Sequence, residues 1–283
     1  MTGRRVGSTS RSSARGASGP RAKKRFGQHF LTDTNILRRI VDAAELRPGE
    51  TVIEVGPGRG ALTAALAERG ARVVAVEVDR DLIAGLRERF AGRAEITIVE
   101  GDILEVDVRT LIGTRAAYAV VANLPYNIAA AVIRRFLEAA TPPRALVVMV
   151  QREVADVIVA RPGEMSLLSL AVQVYGRARI VMRVPPGAFS PPPKVESAVV
   201  RIDVEPVRHL RSRPTDLFAV ARAGFAQPRK QLRNSLAAGL ALAPEGAERL
   251  LRAADIDPAR RPQTLSVGDW DRLAAAWRAR SAA

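Results

Sequence analysis

The sequence has no cysteine and only two histidines, His29 and His209. Without cysteine, a disulfide scaffold, a cysteine-ligated zinc site, an iron–sulfur cluster and a thiolate nucleophile are all excluded. Long apolar runs are missing as well, since the longest, over residues 145–160, is interrupted by Gln151, Arg152, Glu153 and Asp156. No segment is therefore predicted to span a membrane. We expect neither a metal site nor a membrane partner.

Basic residues outnumber acidic residues at both ends of the chain. Over 283 residues, the sequence carries 44 Lys and Arg against 29 Asp and Glu, a net charge of +15. This charge divides into +8 for residues 1–25, 0 for residues 26–206 and +7 for residues 207–283. Such a surplus is typical of proteins with a polyanionic partner, either nucleic acid or an acidic membrane surface. Because the middle is neutral, we expect the partner to be held outside the region that performs the chemistry.

Composition divides the chain into three segments. Residues 1–25 are rich in Ser, Gly and Arg and too poor in apolar residues to offset the entropy of ordering, which predicts a disordered basic arm. Residues 26–206 alternate β-branched runs with helical stretches, the pattern of an α/β domain. Residues 207–283 have helical periodicity throughout, with helix starts near Thr215 or Asp216 and at Pro244, and predict a small helical domain.

The α/β segment predicts a parallel sheet. Five strands are predicted at residues 51–55, 72–77, 95–100, 117–122 and 144–150, helices near 61–69, 80–90 and 127–140, and two further strands at 179–184 and 197–205. With right-handed crossovers, the βαβαβ order places helices on both faces of the sheet. A ligand crevice is then expected at the carboxyl ends of the strands.

The segment VIEVGPGRGALT contains the end of the first of these strands, a glycine-rich loop and the start of the next predicted helix. Gly56 and Gly58 permit a tight turn and a close approach of backbone N–H groups to a ligand. Glu77, at the end of the next strand, is placed to accept hydrogen bonds from ribose hydroxyls. NAD-dependent and S-adenosylmethionine-dependent enzymes share this arrangement, and a tight turn without a ligand has the same pattern. Asp102 is interpreted as the residue that distinguishes between these two cofactors, because its carboxylate can accept a hydrogen bond from an adenine amino group. The alternative is that Asp102 caps a helix.

The tetrapeptide Asn123-Leu124-Pro125-Tyr126 lies at the end of the fourth predicted strand. An adenine N6 amine is a poor nucleophile because its lone pair is delocalised into the ring. If the Asn123 side-chain oxygen and the Leu124 carbonyl accept its two hydrogens, the nitrogen is oriented for methyl transfer without a general base. Tyr126 then supplies a stacking face for the base. The alternative is a turn at a strand end, since Asn and Pro are turn residues and Tyr is often a core residue.

Six motifs in this order resemble the ribosomal RNA adenine N6-dimethyltransferase family. They are FGQHFL at residues 26–31, EVGPGRGALT, Glu77, GDIL, NLPYNI, and Phe189 within FSPPPKVESAVV. The resemblance runs from about residue 23 to the C-terminus. It implies an S-adenosylmethionine-dependent enzyme with a Rossmann-like α/β catalytic domain and a small all-helical C-terminal domain.

The resemblance also implies roles for individual residues. It places the cofactor against His29, Leu31, Gly56, Glu77, Asp102 and Asn123, and the target base against Asn123, Leu124, Pro125, Tyr126 and Phe189. Judged by residue type alone, Phe189 is either a core residue or a second face for the adenine. By the same criterion, His29 is more often an ordinary loop residue than a ligand.

The family has two branches that share this core. Housekeeping enzymes dimethylate two adjacent adenosines near the 3′ end of small-subunit ribosomal RNA, and antibiotic-resistance enzymes act on large-subunit RNA. The segments FAQPRKQLRNSL, VPPGAFSPPPKVESAVV and RRPQTLS resemble the housekeeping branch. Pro228 departs from the family pattern, which commonly has a basic residue before Arg229 and Lys230, so one phosphate contact of the family is not expected here.

Four basic residues of the C-terminal segment are the predicted RNA-binding residues: Arg222, Arg229, Lys230 and Arg233. Such residues position an RNA backbone and do not read its sequence. The alternative is a solvated, charged helix surface. The net charge of +7 confined to residues 207–283 favours RNA binding.

Together these features predict S-adenosylmethionine-dependent N6,N6-dimethylation of two adjacent adenosines in the 3′-terminal hairpin of small-subunit ribosomal RNA. The expected partner is the immature 30S subunit late in assembly, and the enzyme is expected to be a cytoplasmic monomer. Three alternatives stay open: a large-subunit enzyme conferring antibiotic resistance, a non-catalytic ribosome-assembly factor, and an NAD-dependent oxidoreductase, for which the NLPY sequence has no evident use.

Overall fold

The computed structural model describes residues 29–114, 117–207 and 210–282. The predicted basic arm over residues 1–25, the motif residues 26–28 and His209 lie outside the described residues.

A seven-stranded sheet forms the centre of the described structure. The strands in chain order are β1 (Phe30–Leu31), β2 (Thr51–Val55), β3 (Arg72–Glu77), β4 (Ile96–Glu100), β5 (Tyr118–Asn123), β6 (Ala145–Gln151), β7 (Gly176–Val184), β8 (Phe189–Ser190) and β9 (Ser197–Val204). The sheet has the order β4-β3-β2-β5-β6-β9-β7, and β1 pairs with β8 separately. Strands β2 to β6 are parallel, as predicted. Strand β9 is antiparallel to both β6 and β7, so the sheet is mixed.

Helices cover both faces of this sheet. They are α1 (Thr34–Ala43), α2 (Ala61–Glu68), α3 (Arg80–Arg89), α4 (Val108–Ile112), α5 (Ala129–Leu137), α6 (Arg152–Ile158) and α7 (Leu167–Tyr175). Successive strand residues point to opposite faces. In β2, Val52 packs into a core with α1, α2 and α3, and Ile53 packs into a second core with α4, α5 and α6. Burial on both faces explains why the central strands β5 and β6 are nearly continuous apolar runs.

The C-terminal part is helical, as predicted. Its helices are α8 (Pro214–Phe225), α9 (Leu232–Gly239), α10 (Pro244–Ala253) and α11 (Val267–Ala282). They enclose a third core around Leu217 and the fully buried Trp270. Helix α7 contributes Leu170 and Val174 to this core and also packs Val172 against the sheet. Helix α7 therefore joins the two parts, while the predicted division after residue 206 stays a prediction.

Two short strands bring the start of the described chain to the ligand-binding edge. Phe30 pairs with Ser190 and Leu31 pairs with Phe189 in an antiparallel ladder. The Thr32 N–H donates to the Ala188 carbonyl at 2.9 Å. The segment before α1 is thereby fixed against the proline-rich loop, beside the carboxyl ends of β2 and β5.

Among the described residues, no helix is both long and apolar enough to cross a membrane.

Candidate functional site

A cavity of about 310 Å³ lies at the carboxyl edge of the parallel strands. Its lining comes from the ends of β2, β3 and β5, the loop after β4 and the residues before β1. Five predicted site residues with polar side chains line it together: His29, Glu77, Asp102, Asn123 and Tyr126. The backbone of Gly56, together with Leu124 and Pro125, completes one wall. The predicted crevice is therefore present, and residues far apart in sequence meet in it.

The glycine loop turns sharply between β2 and α2. Gly56, Gly58 and Gly60 have φ values of +66°, +59° and +78°, a region that glycine adopts without strain. A Cβ on Gly58 would lie 3.0 Å from the Phe30 ring, so the loop and the segment before α1 pack tightly at this point. This packing fixes the backbone of the loop beside the cavity.

The Glu77 carboxylate is held by backbone N–H groups at the end of β3. Its Oε1 accepts from Val78 and Asp79, both at 2.9 Å, and its Oε2 accepts from Gly58 at 3.2 Å. Burial raises the pKa of Glu77 above its ordinary value, although these three hydrogen bonds act in the opposite direction. A carboxylate offers about four acceptor positions, so Glu77 retains capacity to accept from a ligand hydroxyl.

Asp102 lies in the loop after β4, where its side chain closes a turn and does not cap a helix, since the next helix is capped by Asp107. The Asp102 Oδ1 accepts from the Leu104 N–H at 2.8 Å and closes a tight turn. The residue is half-buried and lines the cavity. The turn fixes one carboxylate oxygen, and the other accepts no hydrogen bond from the described residues. Asp102 thus presents an acceptor at the β4 side of the cavity, where apolar Val78 and Ile103 also form the wall.

The Asn123 side chain is oriented by the backbone of His29. Its Nδ2 donates to the His29 carbonyl at 3.0 Å, which leaves Oδ1 as the acceptor of the amide that is not engaged in this bond. The next residue, Leu124, donates its own N–H to Met149. Its carbonyl accepts no hydrogen bond from the described residues, and the following Pro125 has no N–H to offer. Two acceptors in consecutive residues therefore lie at one wall of the cavity.

Tyr126 is fixed at both ends of its side chain. Its hydroxyl lies 2.7 Å from the Ser197 Oγ, and its ring stacks on the His29 ring with centroids 5.7 Å apart. His29 is fixed in turn, because its Nδ1 lies 2.9 Å from the Pro191 carbonyl. Since a carbonyl only accepts, Nδ1 carries the hydrogen in this contact. His29 thus connects the NLPY segment to the proline-rich loop.

Three predicted site residues are not on the wall of the large cavity: Gly58, Leu31 and Phe189. Phe189 is 4% exposed and packs in the core between the sheet and α1, α2 and α3. Leu31, its partner in the β1–β8 ladder, lies in the same core and lines a smaller adjacent cavity of about 50 Å³. For Phe189 the structure thus corresponds to the core alternative. Proline-rich loops have no periodicity from which the direction of this ring could be predicted.

The predicted RNA-binding residues are placed on one stretch of the helical part. Arg222 is on α8, Arg229 and Lys230 are in the connection to α9, and Arg233 is on α9. All four are exposed. None of them forms an ion pair with another residue in the part of the chain that the structure describes. They lie apart from the residues that line the cavity.

Several residues of the site were not found by the sequence reasoning. Ser197 holds the Tyr126 hydroxyl, and Val78 exposes 49% of its surface beside Glu77. Glu54 lies under the glycine loop, 1% exposed, where it accepts from the Thr63 hydroxyl at 2.6 Å. Burial raises the pKa of Glu54 to about 8. The position of Glu54 within the glycine motif was an available signal, whereas pairing of β6 with β9, which brings Ser197 to the site, has no local signal.

Residues 19–276 match the family model described as ribosomal RNA adenine dimethylase. The chain belongs to this family. Two relatives carry the name ribosomal RNA small subunit methyltransferase A. One, from Dehalococcoides mccartyi, is 47% identical over 254 residues, 89% of this chain and 87% of the relative. The other, from Phenylobacterium zucineum, is 46% identical over 266 residues, 93% of this chain and 91% of the relative.

Solved structures agree with this family membership. A dimethyladenosine transferase from Plasmodium falciparum matches with a TM-score of 0.74 at 22% identity, over 89% of this chain and 98% of that chain; at this identity the match bears on the fold alone. The 23S rRNA methyltransferase ErmE matches with a TM-score of 0.65 at 28% identity, over 87% of this chain and 98% of that chain. The predicted family and its Rossmann-like methyltransferase fold with a helical C-terminal part are confirmed.

Proposed function

We propose that this protein transfers two methyl groups from S-adenosylmethionine to the N6 atom of each of two adjacent adenosines in the 3′-terminal hairpin of small-subunit ribosomal RNA. The observation that carries the proposal is the orientation of Asn123. Its amide hydrogen is used by the His29 carbonyl at 3.0 Å, so its oxygen and the neighbouring Leu124 carbonyl are available as a pair of acceptors. An adenine N6 amine has two hydrogens to donate.

The residues of the cavity fit S-adenosylmethionine. Glu77 can accept a hydrogen bond from a ribose hydroxyl at the acceptor position that its three backbone hydrogen bonds leave free. Asp102 can accept from the adenine amine, and Val78 and Ile103 offer apolar contact to the adenine ring. When bound, S-adenosylmethionine would supply a methyl group activated by its sulfonium, and the leaving group would be the neutral thioether sulfur of S-adenosylhomocysteine. We assign His29, Leu31, Gly56, Gly58, Glu77, Asp102 and Asn123 to this cofactor.

The protein's part in the reaction is to orient the amine. Two acceptors that are fixed before the substrate arrives favour the geometry in which the N6 lone pair leaves conjugation with the ring. Neither acceptor is charged, and no general base is needed to generate the nucleophile, because N6 releases its proton only after it has accepted the methyl group. Leu124 is held by its N–H bond to Met149, and Pro125 restricts the backbone that follows. The NLPY segment therefore acts as a rigid clamp.

The proposed stacking face for the target base is Tyr126. One face of its ring is stacked on His29, so we assign the base to the opposite face. The Ser197 contact fixes the tilt of the ring. Phe189, at 4% exposed, takes part as a second face only if the loop between β7 and β9 moves.

One observation favours small-subunit RNA over large-subunit RNA as the substrate. Identity to the relatives named for the small subunit is 46–47%, against 28% to the 23S rRNA methyltransferase. The exposed Arg222, Arg229, Lys230 and Arg233 provide a surface for RNA phosphates. We propose the immature 30S subunit as the partner and a monomer in the cytoplasm as the active form.

The test is to incubate the protein with isotope-labelled S-adenosylmethionine and under-methylated 30S particles and to map the modified nucleotides. The expected result is label on two adjacent adenosines near the 3′ end of the small-subunit RNA. Label in large-subunit RNA would move the protein to the resistance branch. Binding to 30S particles without label would indicate an assembly factor. Calorimetric titration with S-adenosylmethionine and with NAD distinguishes a methyltransferase from an oxidoreductase. Binding of NAD and not of S-adenosylmethionine would favour the oxidoreductase.

A further inference from the structure

Arg59 lies at the tip of the glycine loop, between Gly58 and Gly60. Its guanidinium carbon lies 4.6 Å from the centroid of the Phe30 ring, a cation–π distance. Its carbonyl accepts from the Arg89 side chain at 2.6 Å, which fixes the backbone from which the Arg59 side chain extends. The side chain itself is exposed. The sequence reasoning gave Arg59 no role, and the proposed function does not use it.

A small cavity of about 50 Å³ begins where the large cavity ends. Three residues, Phe30, Gly56 and Asn123, line both cavities. Arg59 is the one basic residue among the described residues that line the small one. A volume of this size holds one or two water-sized groups. It therefore suits the end group of a ligand and not a second ring.

The charges around the two cavities create a need for a cation. Glu54 lines the small cavity, and Glu77 and Asp102 line the large one. Among the described residues that line either cavity, Arg59 is the only Arg or Lys. Burial raises the pKa of Glu54 to about 8, so Glu54 is mostly neutral at pH 7 and repels an anion little. Ala61 and Leu62, the first residues of α2, also line the small cavity, and N–H groups at a helix start favour anions.

We propose that Arg59 binds the α-carboxylate in the methionine part of S-adenosylmethionine, with that carboxylate in the small cavity and the adenosine in the large one. The inference rests on the proposed function, which supplies this cofactor. The guanidinium lies over the Phe30 ring, and both residues line the small cavity. An RNA phosphodiester is the other anion of the reaction, but it is linked to two riboses, and the small cavity has no room for them.

The test measures binding and not turnover. Calorimetry gives the dissociation constants of four probes: S-adenosylmethionine, S-adenosylhomocysteine, decarboxylated S-adenosylmethionine and 5′-methylthioadenosine. The last two lack the carboxylate. The protein is used as wild type, Arg59→Gln, Arg59→Lys and Arg87→Gln, the last of which removes the same charge from an exposed position on α3.

Arg59→Gln is expected to weaken both carboxylate-bearing probes about tenfold, the loss of one charge-assisted hydrogen bond. The two probes without a carboxylate are expected to bind within about twofold of wild type, since their affinity has no carboxylate contribution to lose. Arg59→Lys should recover most of the loss, and Arg87→Gln should match wild type.

Three results would overturn the inference. Equal weakening of all four probes would mean that Arg59 shapes the loop and does not read the carboxylate. Unchanged affinities would mean that it has no part in cofactor binding. A rise in the dissociation constant for 30S particles with unchanged cofactor affinity would assign Arg59 to RNA phosphate. If wild-type protein binds none of the four probes, the proposed function fails as well.

Discussion

Glu77 combines burial with three backbone hydrogen bonds, and we expect its charge state to control the affinity of the proposed cofactor site. Burial raises its pKa above 4.5. Ribose hydroxyls donate best to the ionised carboxylate. Affinity for S-adenosylhomocysteine should therefore fall as the pH is lowered through this raised pKa. Glu77→Gln should bind about tenfold more weakly at pH 7.5 and lack this acidic decline. Calorimetry between pH 5 and 8 measures both effects, and a variant with the wild-type pH profile would contradict the assignment.

Glu54 makes a prediction about stability. Its pKa is about 8 in the folded protein, well above its value in an unfolded chain. The folded state therefore retains a proton that the unfolded state loses above about pH 4.5, and the contribution of Glu54 to stability falls as the pH rises toward 8. Glu54→Gln removes this dependence. Between pH 5.5 and 8 the variant should gain at least about 1 kcal/mol relative to wild type.

Urea denaturation at several pH values measures this gain. The matched control is Glu68→Gln, at an exposed position on α2, which should follow the wild-type pH dependence. Parallel curves for Glu54→Gln and wild type would show that the Glu54 carboxyl is ionised in the folded protein.

At the residue scale, the sequence predicted which residues lie at the cavity better than it predicted the directions of their side chains. Glu77, Asp102, Asn123 and Tyr126 were found because each follows a strand, and the ends of parallel strands meet at one edge. Phe189 was assigned to the base clamp through the resemblance, and the structure places its ring in the core. The His29 carbonyl, which orients Asn123, could not be predicted from a side-chain pattern, because every residue has a carbonyl.

The loop and strand that cover the cofactor edge form one packed element. Gly58 has a φ of +59°, and a Cβ there would lie 3.0 Å from the Phe30 ring. Gly58→Ala therefore combines backbone strain with a clash. Gly49 has a φ of +72° with no atom within 4 Å, so Gly49→Ala isolates the strain alone, about 1 kcal/mol.

We expect Gly58→Ala to lower the Tm more than Gly49→Ala and to weaken S-adenosylhomocysteine binding, which Gly49→Ala should leave unchanged. Differential scanning calorimetry and titration test the two effects. Equal Tm losses and equal cofactor affinities for the two variants would show that the Phe30 ring moves aside without loss of stability.

At the element scale, the strands with runs of β-branched residues were predicted, whereas the two-residue strands and a helix that packs against two cores were not. The strands from β2 to β6 lie within one residue of their predicted bounds, because each is a run rich in β-branched residues. Helix α7 was missed because it packs against two cores, with Val172 in one and Leu170 in the other. Apolar residues on all sides remove the helical period. Strands β1 and β8, of two residues each, are too short for any pattern.

In the whole molecule, the cavity and the exposed basic residues of the helical part lie in different regions. The neutral residues 26–206 contain the cavity, and the exposed basic residues of α8, α9 and their connection lie elsewhere. Reversing Arg229, Lys230 and Arg233 to Glu should weaken RNA binding and flatten its salt dependence, by up to about three units of slope. A matched reversal of the exposed Arg249, Arg252 and Arg280 changes the net charge equally.

Fluorescence titration with a 3′-terminal small-subunit RNA at several salt concentrations compares the two triple variants. The control triple should retain most of the wild-type slope. Equal losses in both would mean that total charge, and not the α8–α9 surface, holds the RNA.

The central claim is that the Asn123 amide oxygen and the Leu124 carbonyl hold adenine N6 for methyl transfer. Its most direct test counts N6,N6-dimethyladenosine by mass spectrometry in under-methylated 30S particles after incubation with wild-type protein or Asn123→Ala. The account predicts two adjacent dimethyladenosines with wild type and none with the variant. The variant's affinity for S-adenosylhomocysteine should fall no more than about fivefold, the loss of one hydrogen bond. Full methylation by Asn123→Ala would contradict the account.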